Sequence, residues 1–315
     1  MDTRQLRYIL EIAEAGSISG AAERLFISQS GLNQQLARIE KELNTTLFQR
    51  NTHHLEITES GKLMLDYARE AIAAEKRLHG MIDDIKNSDI GNIRINLAME
   101  QGIELFTQIF PAFHQKYPRI SVRLEDRIVS EQYKLLLDGD LDIGMVMITK
   151  RELAELEYIH LANERFLLGV PASHALTRFY QPTADGDYPE LDLNLCRDEP
   201  FSLMFSGSTF REVVDPCFEH AGFKPNIMFE SKTNHVIALM VANGICLTIL
   251  PESQAKLYHN IRWFRLADNP TWESCLIYHQ NNPPRKAGRY LIQLAVDHGK
   301  FLGKHSTPDF SMFKP

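Results

Sequence analysis

The stretch Ser17-Ile-Ser-Gly-Ala-Ala-Glu-Arg-Leu-Phe-Ile-Ser-Gln-Ser-Gly-Leu-Asn-Gln-Gln-Leu-Ala-Arg38 decides how this chain is read, because it encodes two short helices meeting at a tight angle. Ala21 and Ala22 are small enough for close helix contact, Leu25 closes the first helix, and Ser28 is a natural N-cap for the second. Leu32, Leu36, Ile39 and Leu43 then form one apolar stripe at helical period, which leaves Gln29, Ser30, Asn33 and Gln34 on the opposite, open face. An amide that both donates and accepts pairs with N6 and N7 of adenine, and a hydroxyl serves several bases, so this face suits a major-groove edge. An ordinary helical hairpin with a solvated amide face is the alternative at this point.

From Asn44 to Gly61 the polar chain carries alternating apolar positions at Leu55 and Ile57 around a polar tip, the pattern of a small wing. Arg50 is placed where a wing lies along phosphates, and His53 and His54 add charge there only when protonated. A solvated loop tip is the ordinary reading of the His pair, since further metal ligands are not nearby. The expected DNA-binding set is therefore Ser28, Gln29, Ser30, Asn33, Gln34, Arg38, Arg50 and His53.

These residues resemble the winged helix-turn-helix of LysR-type transcriptional regulators. The order Ala21-Ala22-Glu23-Arg24-Leu25, Ser28-Gln29, Leu32, Glu40-Lys41-Glu42-Leu43, Leu47-Phe48-Gln49-Arg50 and Thr58-Glu59-Ser60-Gly61 follows the family pattern with matching spacings. Ser30 stands where many members carry proline, and Asn33-Gln34 where serine with a basic residue is common. The resemblance implies a sequence-specific regulator whose C-terminal domain, similar to periplasmic binding proteins, takes a small effector. It also implies pairing into dimers and, through further contacts, tetramers.

At 315 residues, 44% hydrophobic and 24% charged, the chain is ordinary globular material with room for a small and a larger domain. Its formal net charge of −7 is unusual for a DNA-binding protein, which must release counterions to bind. Oligomers multiply a modest set of phosphate contacts and read symmetric half-sites, so weak charge per subunit is compatible with tight binding. Arg7, Glu11 and Glu14 interrupt the apolar residues that follow Leu6, so no signal peptide is expected, nor any membrane span, and the expected location is the cytoplasm. Cys196, Cys217, Cys246 and Cys275 lack any Cys-x-x-Cys spacing and read as reduced, mostly buried residues. Thiol-disulfide sensing is known within the family, but this spacing does not favour it.

From Thr58 to about Lys86 a capped helical pattern carries Leu63, Tyr67, Ala71, Ala74, Leu78, Met81 and Ile85 at three- and four-residue steps, a stripe of the kind that pairs two helices. Gly80 and Asn87-Ser88-Asp89 are expected to end it and Gly91 to open a hinge. Strands and helices then alternate: strands at 92–98, 120–126 and 141–147 with helices at 104–116 and 131–138, then strands at 166–170, 201–204, 227–229 and 245–250 with helices at 209–221 and 235–241. Strand 275–278 and helix 290–296 are expected to return to the first lobe, and 180–190 reads as an atypical loop. The expected fold class is α/β overall: an N-terminal all-α winged helix-turn-helix (1–58), a linker helix for dimerisation (59–90), and a two-lobed α/β effector domain (91–305), with lobe I about 91–161 and 266–305 and lobe II about 162–265.

Between two such lobes helix N-termini face a crevice suited to a small solute. The turn Phe205-Ser206-Gly207-Ser208-Thr209 enters a helix, Glu100-Gln101-Gly102 follows the first strand, Ser130 follows the second, and Asn234-His235 begin the next helix. These residues form the expected effector site, selective for a carboxylate or other small anion. Capping of their own helices by the same hydroxyls is the competing account. Glu100, His235 and Asp215 with the serines lack any triad spacing, and no metal cluster, P-loop or dinucleotide fingerprint appears, so catalysis, cofactors and metals are not expected. Expected partners are double-stranded operator or promoter DNA, an anionic small molecule, further copies of the chain, and RNA polymerase. A solute-binding or catalytic protein with the winged segment as a partner-binding module is the competing class.

Overall fold

The computed structural model describes residues 1–50, 55–87, 90–97, 99–181, 183 and 186–302, the side chains at 50, 77, 80, 81, 83–87, 99, 100 and 300–302 excepted. Three helices open the chain: α1 (Thr3–Ala15), α2 (Ile18–Arg24) and α3 (Gln29–Leu43). Asp2 and Gln5 close a capping box on α1, each accepting at 2.9 Å from the other's backbone N–H, and left-handed Gly16 ends that helix. The strands β1 (Phe48–Arg50) and β2 (Leu55–Ile57) pair antiparallel with Phe48 opposite Ile57, while His53 at the wing tip lies outside the described residues.

The long α4 (Glu59–Asn87) follows, running through Gly80, where the sequence suggested an end. Gly91 is likewise no hinge: it is the first residue of β3 (Gly91–Asn96) and pairs with Ile120. Parallel pairing with β4 on one side holds its backbone extended. Leu6, Ile9, Ile12, Ala21, Ala22, Leu32, Leu36 and Ile39 share one core with Met64, Leu65, Ala68 and Ile72, so one face of α4 is seated on the helical head. Leu43 falls off the stripe and is 40% exposed, because α3 ends there in left-handed Asn44.

The remaining elements are α5 (Met99–Lys116), β4 (Ile120–Glu125), α6 (Val129–Leu137), β5 (Ile143–Ile148), β6 (Leu156–Pro171), β7 (Pro200–Met204), α7 (Thr209–His220), β8 (Asn226–Ser231), α8 (Asn234–Ala242), β9 (Thr248–Pro251), β10 (Ile261–Arg265), β11 (Thr271–His279) and α9 (Lys286–Leu302). Among the described residues one sheet runs β10-β6-β11-β5-β3-β4, with β9 also on β6, and β7 pairs β8 in a second, parallel sheet. The 16-residue β6 was the element least legible beforehand, since only its end, 166–170, is continuously apolar. After buried Leu156 its first half mixes exposed with half-buried positions beside β11, without a period-2 pattern. Strand 245–250 is corrected to Thr248–Pro251, with Ile245 46% exposed in the preceding turn.

β11 pairs antiparallel with both β5 and β6, and α9 packs on α5, so the end of the chain does return to the first α/β unit. Segment 180–190 has no regular element among its described residues. It is held by Asp187, which the Arg165 guanidinium grips while also reaching Glu252 at 2.8 Å, and by a bridge from Glu190 to Arg265. Lys134 on α6 stands 2.8 Å from Glu14 on α1, and Lys76 on α4 stands 2.7 Å from Asp140. Ion pairs thus join the helical head and its long helix to the α/β part.

Candidate DNA-reading face and effector crevice

Local chemistry sets the helical face first. Ser28 has an extended backbone and its Oγ accepts from Gly31 N–H at 3.1 Å, so α3 starts where a serine relieves an orphan donor. Leu32, Leu36 and Ile39 are buried, and by helical geometry Gln29, Ser30, Asn33, Gln34 and Arg38 are turned to solvent. Arg38 has no ion-pair partner among the described residues, whereas the neighbouring Arg24 is held at 3.2 Å by Glu11. Arg50 ends β1, opposite Leu55, and its side chain is outside the described residues. Phe26, at the turn between α2 and α3, is 95% exposed with φ 55°, and a positive φ at a bulky residue has no local sequence signature.

The wing is locked to this helix by Glu40, whose Oε1 accepts from the N–H of Leu47 at 2.7 Å and of Phe48 at 3.3 Å. Thr58 caps α4, accepting from Gly61 N–H at 2.9 Å while its hydroxyl donates to the carbonyl of Thr46 at 2.7 Å. The Thr58-Glu59-Ser60-Gly61 run is therefore the joint between wing and long helix.

In the second α/β unit, parallel β7 and β8 end side by side at Met204 and Ser231 and lead into α7 and α8. Ser208 and Thr233 are the capping positions of these helices, and neither side chain caps. The Ser208 hydroxyl donates back to the Phe205 carbonyl at 2.9 Å. Capping, the competing account of these residues, thus fails for Ser208, and the first N–H groups of both helices have no side-chain cap. Ser206 and Gly207 are exposed at the turn, Thr209 is half-buried, and Lys232 lies 5.8 Å from the centre of the Phe205 ring. Asn234 has a buried Oδ1 without a hydrogen-bond partner, and His235 Nδ1 is 2.5 Å from the Tyr258 hydroxyl.

Of the expected residues in the first unit, Gln101 faces the second directly. Its amide donates to Glu164 at 2.5 Å and to Ser253 Oγ at 2.9 Å. Glu164 also accepts from Ser253 N–H at 2.8 Å and from the Trp272 indole at 3.1 Å. Trp272 packs edge-on against Phe210, the second residue of α7, so the starts of α5 and α7 are linked through one carboxylate and one indole. Gly102 is buried, and a Cβ there would meet Leu97 at 3.0 Å, which fixes α5 close to β3. Glu100 lies in the first turn of α5 with its side chain outside the described residues, and Ser130 is exposed in the first turn of α6. Glu164, Ser253, Trp272 and Lys232 were missed. Only Lys232, two residues before Asn234, carried a signal, since the others become neighbours through strand crossing.

All four cysteines are buried and unbonded. Burial pushes the thiols of Cys196, Cys217 and Cys275 up to about 12 and that of Cys246 to about 11, so none is a ready thiolate. No helix among the described residues is long and apolar enough to cross a membrane.

Two family models match the chain: the bacterial regulatory helix-turn-helix protein of the lysR family over residues 3–62, and the LysR substrate binding domain over residues 86–300. The transcriptional dual regulator GltC of Bacillus subtilis is 30% identical over 80% of this chain and 81% of its own length. The transcriptional regulator AlsR of the same organism is 27% identical over 90% and 92%. Among solved structures, a full-length OxyR variant from Pseudomonas aeruginosa superposes with a TM-score of 0.62 at 24% identity, covering 95% of each chain. CbnR complexed with its target DNA gives 0.51 at 23% identity, over 95% of this chain and 99% of that one.

Proposed function

We propose, on the premise that this chain belongs to the LysR family of DNA-binding transcriptional regulators, that Gln29, Ser30, Asn33 and Gln34 read base edges of an operator. As a member of that family it is a regulator with a substrate-binding domain, and not an enzyme. The observation that carries the reading is the division of α3 into a buried Leu32-Leu36-Ile39 face and an exposed row of three amides (Gln29, Asn33, Gln34), one hydroxyl (Ser30) and one cation (Arg38). Ser28 sets the start of that helix, and Arg38, Arg50 and His53 supply phosphate contacts on either side.

Two copies paired along α4 present two reading helices about one turn of DNA apart, and pairs of such dimers make the tetramer. Acting in the cytoplasm at a promoter, the assembly works on RNA polymerase. Residues 91–305 form the effector domain, with the crevice between its lobes as the ligand site. Support for a small organic anion comes from the uncapped starts of α7 and α8, side by side at the ends of two parallel strands, with Lys232 nearby. In this reading Glu100, Gln101, Gly102 and Ser130 are assigned to the first unit's side of the site, and Phe205, Ser206, Gly207, Ser208, Thr209, Asn234 and His235 to the second unit's side.

The test is an operator selected from random duplexes, with affinity measured by fluorescence anisotropy. A paired base contact is worth about 1–3 kcal/mol, so Gln34→Ala should lose that much on the operator and little on random DNA. Equal losses on the two would remove Gln34 from the reading set.

A further inference from the structure

Strand crossing brings together three residues that the sequence keeps far apart. On β11 and β6, Cys275 lies opposite His160, and Leu161 is skipped in the pairing between His160 and Ala162. A bulge of this kind re-aims a side chain, and the His160 ring indeed reaches Glu273, Nδ1 to Oε2 at 3.3 Å. The His160 nitrogen, a Glu273 oxygen and the Cys275 sulfur all lie within 4.8 Å of one another.

A cation already sits against these donors. Arg151, in the loop after β5, donates from Nε to Glu273 Oε1 at 3.1 Å and from a terminal nitrogen to Oε2 at 3.2 Å. Its side chain is 49% exposed, so it can leave into water without repacking, and His160 is 45% exposed, which leaves the site open on that side.

We propose that His160, Glu273 and Cys275 bind a thiophilic divalent cation, Zn²⁺, which displaces the Arg151 guanidinium and takes water as its fourth ligand. One nitrogen, one carboxylate oxygen and one sulfur are the donor types of tetrahedral zinc and exclude the all-oxygen preference of Ca²⁺ and Mg²⁺. Ligand atoms of such a tetrahedron stand roughly 3.3–3.8 Å apart, so closure from the observed spacing needs side-chain rotation of about an ångström. The thiol proton leaves to the buffer as sulfur binds. Zinc there would clamp β6 to β11 where both strands pass between the α/β units. The proposal stands apart from the DNA-reading and effector assignments.

The experiment is a Co²⁺ titration of the full-length, reduced protein followed by absorption, with Zn²⁺ as competitor. The expected result is a thiolate-to-cobalt charge-transfer band with tetrahedral visible bands, saturating at one ion per chain and erased by Zn²⁺. Removing the resident cation with Arg151→Ala should tighten Co²⁺ binding about tenfold, and His160→Ala should weaken it about tenfold or more. Cys275→Ser should abolish the charge-transfer band. Because Cys275 is buried and its variant can misfold, the variants of exposed Arg151 and His160 carry the decision. Absence of the band in both the wild type and Arg151→Ala, or unchanged affinity in His160→Ala, overturns the assignment.

Discussion

A Cβ built on Gly61 would lie 2.2 Å from the carbonyl oxygen of Leu47. The first turn of α4 and the chain entering the wing therefore touch backbone to backbone, and only glycine permits the contact. Gly61→Ala gains about 1 kcal/mol of helix propensity but must push apart two backbones, and overpacking costs typically 1–3 kcal/mol. The clash wins at this distance, so thermal denaturation should show a destabilised protein, with affinity falling on operator and random DNA alike. An alanine variant as stable as the wild type would show that the joint yields freely.

The outer face of α4 leads to a prediction about assembly. Leu63, Tyr67 and Leu78 are 74%, 54% and 56% exposed in a single chain, and Ile82 follows at the same helical spacing. Pairing two such stripes buries side chains worth about 1.5–3 kcal/mol each when fully covered. Tyr67→Glu with Leu78→Glu should therefore give monomers or misassembled species in light scattering, with unchanged helix content. A wild-type protein that is monomeric at micromolar concentration and still binds a palindromic site would refute pairing through this face.

Ligand binding at the α7 turn can be tested with small organic acids. Hits found by thermal shift should bind at least about tenfold more weakly to Ser206→Ala combined with Thr209→Ala, the cost of about one hydrogen bond to a charged group. Equal binding to the double variant in calorimetry would put the anion elsewhere.

The Arg165 guanidinium holds the Asp187 carboxyl below its ordinary value of 3.8. A carboxylate with a depressed folded-state value contributes stability that is fully present above the unfolded value and lost as pH falls through the folded one. Asp187→Asn should thus cost about 1 kcal/mol at neutral pH, where the pair is partly exposed, and nothing in acid once both values are passed. Denaturation curves for the two proteins should converge below about pH 4. Parallel curves across that range would mean the carboxylate is not the titrating partner.

Local signals made much of the architecture legible. Caps at Ser28 and Thr58, the Leu32-Leu36-Ile39 stripe and the apolar runs of β5 and of the end of β6 are written in consecutive residues, where periodicity and hydrogen-bonding chemistry act over a few positions. For the same reason the exposure of Gln29, Ser30, Asn33 and Gln34 followed from helical geometry alone. The first half of β6 and the whole of β10 escaped notice because their outward residues are charged or polar, and only a neighbouring strand makes them strands.

What the sequence by itself determined is the class of protein and which face of α3 is buried and which is left open to solvent. Tertiary structure alone decided which side chains converge across the strand crossings. Gln101 meets Glu164 and Ser253, separated from it by 63 and 152 positions, and His160 meets Glu273 across 113. No local propensity encodes such a meeting. For His160 and Glu273 it arises because β6 and β11 pair antiparallel over nine positions, from Thr271 opposite Arg165 to His279 opposite Leu156, and that register carries the two polar groups together.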